Sequence, residues 1–290
     1  MPNIRQIRRR IRSVQNTAKI TNAMSMIAAS RMRRAQQRGI QGRPYAQQIR
    51  AVLGHLAALP QAGQAAHPLL QQRPVQRIAY IHITADRGLC GPLNSNMNRS
   101  AHQFLASQSA PVTVVAVGRR GRDFMGRTGR ELRAVFMDMG VNPGLLDTLP
   151  ISRVVMEDYV SGHVDEVYIG YSDFITTAVQ RPVIQRLIPV EPMPPAEPLY
   201  NVDYIYEPSE EAVLAALLPR YVEMLVYHAI LEHLASEQSA RMVAMRNASE
   251  AAKDMIDSLT LTYNKARQEM ITKEILDLVG GAAALGGVGN

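Results

Sequence analysis

The 290-residue chain has no tryptophan, four phenylalanines and one cysteine. Cys90 alone excludes an internal disulfide, which fits a reducing compartment or plain indifference to redox. No run of 18 or more residues is apolar throughout, so no segment spans a bilayer by itself and any membrane contact is expected to be peripheral. Acid is missing from the first 85 residues, the first carboxylate side chain being Asp86. What is present is a 47% hydrophobic content, enough for a buried core in one large domain or two ordinary ones. The net charge of +7 hides an asymmetry: 14 Lys and Arg precede Asp86, and from there on 18 basic residues face 25 acidic ones. The first 85 residues therefore carry +14 and the rest −7. An Arg-rich, Ser-containing, acid-free start also has the composition of a mitochondrial transit peptide, but the pattern runs too far and lacks a processing boundary.

Both ends of the chain are heptad helices. From Ile4, apolar or small residues recur at alternating intervals of three and four, through Ile7, Ile11, Val14, Ala18, Thr21, Ser25, Ala28, Met32 and Ala35. The seam thins to Ala, Thr and Ser midway, so its partner helix must come close. A second apolar line, Ile20, Met24 and Ile27, opens on another side of KITNAMSMIAASRMRRAQ. Pro44 is expected to bend this helix or to start a second segment reaching about Leu59. The same alternation runs from Tyr221 through Met224, His228, Leu231, Ala235, Gln238, Met242, Met245, Ser249, Ala252, Ile256, Leu259, Tyr263, Ala266 and Met270. Ser209, followed by Glu210 and Glu211, reads as the cap of that second helix. Residues 1–59 and 209–285 are thus expected to form a long antiparallel two-helix coiled coil.

Residues 73–207 read as an inserted, Rossmann-like α/β domain. QRIAYIHIT, PVTVVAV, ELRAVFMDM and VDEVYIGYSDF are strand-like, and the stretches between them are long enough for helices, which gives a mostly parallel sheet. The proline-rich EPMPPAEP leads to an expected last strand, LYNVDYIYE. The Gly/Ala-rich GGAAALGGVGN closes the chain.

A search for chemistry finds little. Gly121 to Thr128 has the spacing of a phosphate-binding loop, but Arg127 stands where the lysine belongs, so a glycine-capped helix is the better reading. Asp86-Arg87-Gly88-Leu89-Cys90-Gly91 follows the first strand, where α/β sheets often place ligands. No histidine or second acid completes a nucleophilic set around Cys90. The seven histidines show no metal-ligand spacing. A basic helix with a sustained apolar seam fits either a nucleic acid or an acidic protein partner, and the heptads favour the protein.

IRQIRRRIRSVQNTAKITNAMSMIAASRMRRAQ, TADRGLCGPLN, ASEQSARMVAMRNASEAA and YNKARQEMITKEILDLVGGAAAL, in that order, resemble the gamma subunit of F-type ATP synthase, end to end. The resemblance implies a non-catalytic central shaft with no cofactor, its coiled coil inside a hexamer of alpha and beta subunits. It implies an α/β domain meeting the epsilon subunit and the ring of c subunits, on the cytoplasmic face of a bacterial plasma membrane, the mitochondrial inner membrane ranking second. It also implies that Arg241, Gln268 and Thr272 form a polar catch for loops of beta and alpha. Arg8, Arg9, Lys19, Arg31, Arg33 and Arg34, with Met24 in the same region, would face acidic lever segments of beta. No cysteine-bearing insertion lies between about Asp173 and Pro208, so the thiol switch of the chloroplast form is absent. A nucleic-acid-binding basic coiled coil and an α/β enzyme with helical extensions remain the alternatives.

Overall fold

The computed structural model describes residues 4–58, 67–190 and 206–286. They form two compact units, residues 28–243 and residues 1–27 together with 244–290. Two helices run through both: α1, Ile4–Ala58, and α5, Glu210–Gly286.

The unit of residues 28–243 holds a five-stranded sheet. Its strands are β1 (Ile78–Ile83), β2 (Val112–Val117), β3 (Leu132–Phe136), β4 (Glu166–Phe174) and β5 (Gln180–Ile188), in the order β3-β2-β1-β4-β5. The first four are parallel and β5 is antiparallel to β4. Helices α2 (Leu93–Ser107), α3 (Arg119–Arg127) and α4 (Leu145–Val160) fall between the first four strands, where the sequence predicts them. Strand β1 is buried along its whole length because helices cover both faces. Ile78 and Tyr80 pack with Met97, Ala101 and Leu105 of α2 and Met125 of α3. Ala79, Ile81 and Ile83 pack with Ile151, Val155 and Tyr159 of α4 and Leu218, Val222 and Val226 of α5. Each such fully buried aliphatic side chain contributes about 1.5–3 kcal/mol. A stretch of α5 is apolar enough, by length and composition alone, to cross a membrane. In this fold the helix buries Leu218, Val222, Val226, Ala229 and Ile230 in the sheet's core.

Two glycines are required by close approach. Gly118, at φ 90°, ends β2 with its α-carbon against the Thr84 carbonyl, and a Cβ on Gly170 of β4 would collide with the Tyr80 hydroxyl.

Two sequence expectations change, and a third falls mostly outside the described residues. Of the two expectations at Pro44, a bend or a new segment, the new segment is excluded: α1 is continuous through Pro44, with Gly39 and Ile49 buried on either side of it. Packing thus outweighs the one backbone bond that the proline removes. Strand β5 was not expected, because Pro182 and four polar residues, Gln180, Arg181, Gln185 and Arg186, disguise it; as an edge strand it needs only one ladder, and Pro182 sits opposite Ser172. Of the expected last strand, residues 199–205 lie outside the described residues, as does EPMPPAEP, and Tyr206 and Glu207 are not in a strand.

In the unit of residues 1–27 and 244–290 the two helices pair along the predicted seam. Ile4, Ile7, Ile11, Val14, Ala18, Thr21 and Ser25 are buried or half-buried, as are Met245, Ser249, Ala252, Ile256, Leu259, Tyr263 and Ala266. At the start of α5, in the other unit, Ser209 caps the helix, its Oγ accepting from the Ala212 amide at 3.3 Å. The Glu211 carboxyl is held below its ordinary range by its own backbone amide and by Ser209.

Candidate functional site

The solvent side of α1 is where charge and small size coincide. Arg8, Arg9, Lys19, Arg33 and Arg34 are exposed, and Arg31 and Met24 are half-buried. Among the described residues Arg8, Arg9, Lys19 and Arg33 make no ion pair, and Arg34 donates only to the Ser30 hydroxyl at 3.3 Å. The described residues therefore leave the charge of Arg8, Arg9, Lys19 and Arg33 uncompensated. The second apolar line is equally uncovered, Ile20 being 60% exposed and Ile27 52%. Exposed apolar residues beside unpaired arginines mark an interaction surface.

The far end of α5 has the complementary property. Ser249 Oγ donates to the Ala18 carbonyl at 3.3 Å, which fixes the antiparallel register of the pair. Counting outward from that contact, Ile4 comes level with Tyr263, and every described side chain from Arg267 to Ala282 is exposed. Gln268 and Thr272 lie there, four residues apart and so on one helical face. Around them Met270, Ile271, Ile275, Leu276, Leu278 and Val279 are all exposed, Leu278 by 74%. Such an apolar helix end is stable only with another surface around it.

Arg241 is different. It belongs to the unit of residues 28–243 and is buried, its Nη1 2.7 Å from Glu237 Oε1 and its Nη2 donating to the Gly88 carbonyl at 3.3 Å. Burial pushes the Glu237 carboxyl up, and Arg241 and Arg31 pull it partly back. Burial also raises the Cys90 thiol, as does Glu237. The loop that Arg241 touches is held by two side chains of the stretch TADRGLCGPLN. Asp86 accepts from the amides of Arg119 and Asp138, both at 3.0 Å, and Asn94 accepts from the Ala85 amide at 3.1 Å. Asp86 thus fills the N-terminal anion position of α3, and Thr84 Oγ1 takes the Gly121 amide at 2.7 Å. The stretch with phosphate-loop spacing is an ordinary helix whose free amides are already used.

Other buried titratable groups sit nearby. His82 Nε2 is 2.8 Å from Asn98 Oδ1, and burial lowers its pKa to about 4 against the opposing effect of that bond. His233 Nδ1 accepts from the Ser172 amide at 3.4 Å, and burial, with His82 adding to it, lowers its pKa to about 3. The cavity that His233 lines at the carboxyl ends of β1 and β2 measures about 60 Å³. A small-molecule site needs several times that. Among the described residues no three His, Cys, Asp or Glu side chains come together as metal ligands.

The sequence pointed to the turn from Asp86 to Gly91 and to the motif ending at Asn94, but not to the amides that Asp86 and Asn94 hold; Glu237 was missed, its one trace being the four-residue spacing from Arg241.

A family model described as ATP synthase matches residues 3–285. An ATP synthase gamma chain from Dehalococcoides mccartyi (strain 195) is 60% identical over 287 residues, covering 98% of this chain and 100% of its own. Another, from Herpetosiphon aurantiacus, is 49% identical over 294 residues, with 98% and 99% covered. A chain in the central stalk and c-ring structure of Tetrahymena thermophila mitochondrial ATP synthase matches with a TM-score of 0.62 at 25% identity, over 79% of this chain and 99% of that one. A chain of the Euglena gracilis mitochondrial ATP synthase rotor shares the fold with a TM-score of 0.63 at 20% identity, over 92% and 98%. With the family model matching residues 3–285 and a gamma chain 60% identical over nearly the whole length, the chain belongs to the ATP synthase gamma-chain family.

Proposed function

We propose that the chain is the central rotor shaft of a bacterial ATP synthase, coupling proton flow through the membrane sector to conformational change at catalytic sites carried by beta subunits. The observation that carries this reading is the α5 end from Arg267 onward, apolar and exposed, together with the unpaired basic face of α1. A sleeve of alpha and beta subunits would cover both. The chain itself is non-catalytic in this reading, and residues 1–59 and 209–285 make the shaft while residues 73–207 make the domain that meets the epsilon subunit and the c ring. The complex is membrane-associated, on the cytoplasmic face.

Gln268 and Thr272 would hydrogen-bond the surrounding loops. Arg8, Arg9, Lys19, Arg31, Arg33 and Arg34 would face acidic segments of beta, with Met24 among the contact residues, and Arg241 would join Gln268 and Thr272 in meeting loops of beta and alpha. A shaft shifts a beta subunit between states only through contacts that differ between those states. An asymmetric pattern of charge and small side chains supplies such differences, and rotation carries them from one beta subunit to the next.

Reconstitution with alpha and beta subunits tests the reading. ATP hydrolysis by the assembly is expected to depend on this chain, and reversing Arg33 and Arg34 to Glu is expected to uncouple it. Full activity without the chain would sink the proposal.

A further inference from the structure

We propose that the cavity at the carboxyl ends of β1 and β2 is a water site built into the fold, with the Nε2–H of His233 as its donor and the Glu237 and Asp86 carboxylates as its acceptors. The inference rests on the chain's own geometry and stands apart from the rotor reading above. All three side chains line the cavity, between Thr84 and an apolar rim that includes Val117 and Ile230.

His233 is 4% exposed, and its two ring nitrogens have different neighbours. Nδ1 accepts from the Ser172 amide of β4 at 3.4 Å, so it carries no proton, and burial, with His82 adding to it, keeps the ring neutral. The single ring proton is therefore on Nε2. Among the described residues nothing accepts it. A buried donor without an acceptor is costly, and native folds seldom leave one. In the sheet β1 lies between β4 and β2. With Nδ1 spent on β4, the Nε2 edge of the ring is turned to the β1–β2 side, where the cavity is.

The chemistry of the cavity selects its occupant. Its volume of about 60 Å³ holds about two water molecules, at about 30 Å³ each. Glu237 stands four residues after His233 and so on the same face of α5. A carboxylate offers about four acceptor sites. Asp86 uses two of them on the amides of Arg119 and Asp138, and Glu237 turns one oxygen to Arg241. A space with one N–H donor and two carboxylates needs a ligand that both accepts and donates. An anion would meet Asp86 and Glu237, a cation would meet the Nε2–H, and an apolar gas atom would serve neither. Water serves both, and it joins α5 to the loop after β1 through His233 and Asp86.

Nuclear magnetic resonance of the full-length chain with isotopically labelled histidine tests the site near neutral pH. His233 is expected in the Nε2–H form, with a cross-peak from that proton to a long-lived water. The Nδ1–H form, or the Nε2–H form without a water cross-peak, overturns the proposal. Val117→Ile, which adds a carbon to the cavity wall, is expected to lower the melting temperature by expelling the water and leaving His233 without an acceptor. Adding His233→Leu is expected to abolish that loss, since no donor is then left unpaired. A rise with Val117→Ile alone marks a dry apolar cavity, and an equal fall with and without His233→Leu marks simple overpacking; either overturns the proposal. A melting temperature that rises with sodium or potassium chloride, but not with choline chloride at the same ionic strength, would put a cation in the site and overturn it as well. None of these outcomes bears on assembly with alpha and beta subunits, which the reconstitution above tests separately.

Discussion

Ser249 donates to the carbonyl of Ala18 across 231 residues of sequence. A hydroxyl on one helix can reach the backbone of the other only where neither side chain keeps the helices apart. The seam of small residues is therefore a distance requirement. Ala18→Leu is expected to destabilise the chain by about 1–3 kcal/mol through overpacking. Ser249→Ala, which removes one hydrogen bond and no packing, is expected to cost about 1 kcal/mol. Denaturant melts of the two variants check the order; equal effects would mean that the approach is not tight.

Acid is expected to weaken the fold through His82 and His233. Both are held neutral by burial, with pKa values lowered to about 4 and about 3. In the unfolded chain they take a proton near pH 6.5, so their contribution is complete above that value. It declines as pH falls, by about 1.4 kcal/mol per pH unit for each histidine down to its folded pKa. The Glu237 carboxyl, pushed up by burial, acts in the opposite direction in both proteins being compared and cancels. His233→Leu is expected to reduce the loss of stability between pH 6 and pH 5 by about 1.4 kcal/mol relative to the parent chain. Parallel curves would show that His233 carries a proton in the fold.

Gly118→Ala is expected to cost about 3 kcal/mol, combining left-handed backbone with a clash against the Thr84 carbonyl. Backbone cannot rotate away as a side chain can. The melting temperature of the variant checks this, and a shift of less than a degree would contradict the close approach of β1 and β2 there.

Gln268→Ala with Thr272→Ala should separate stability from function. Both side chains are exposed, so the melting temperature of the isolated chain is expected to stay within the range of about 0.5 kcal/mol usual for surface changes. Coupled ATP hydrolysis by the complex is expected to fall. Activity equal to the parent's would remove these two residues from the interface.

The heptad seam was legible because it is a local repeat, and the parallel strands because they are short runs rich in β-branched and apolar residues, β1 and β2 being buried on both faces. Both signals lie within a few consecutive residues and survive in the sequence. Strand β5 was hidden by Pro182, whose meaning depends on lying at a sheet edge. The continuity of α1 through Pro44 likewise depends on what Gly39 and Ile49 pack against.

At the candidate site the same division holds. Sequence alone determined that α1 is basic, small and without acid, and that the end of α5 is apolar, since side-chain type and helical period fix both. Only the tertiary structure decided that α5 outruns its partner near Tyr263, leaving Gln268 and Thr272 bare. It alone turned Arg241 inward to Glu237 and Gly88, and gave Asp86 the amides of Arg119 and Asp138. These pairings join residues 33 to 153 positions apart, as well as neighbours on a helix. No local period records such contacts; they exist because the packed sheet brings the ends of β1, β2 and β3 to one face of α5.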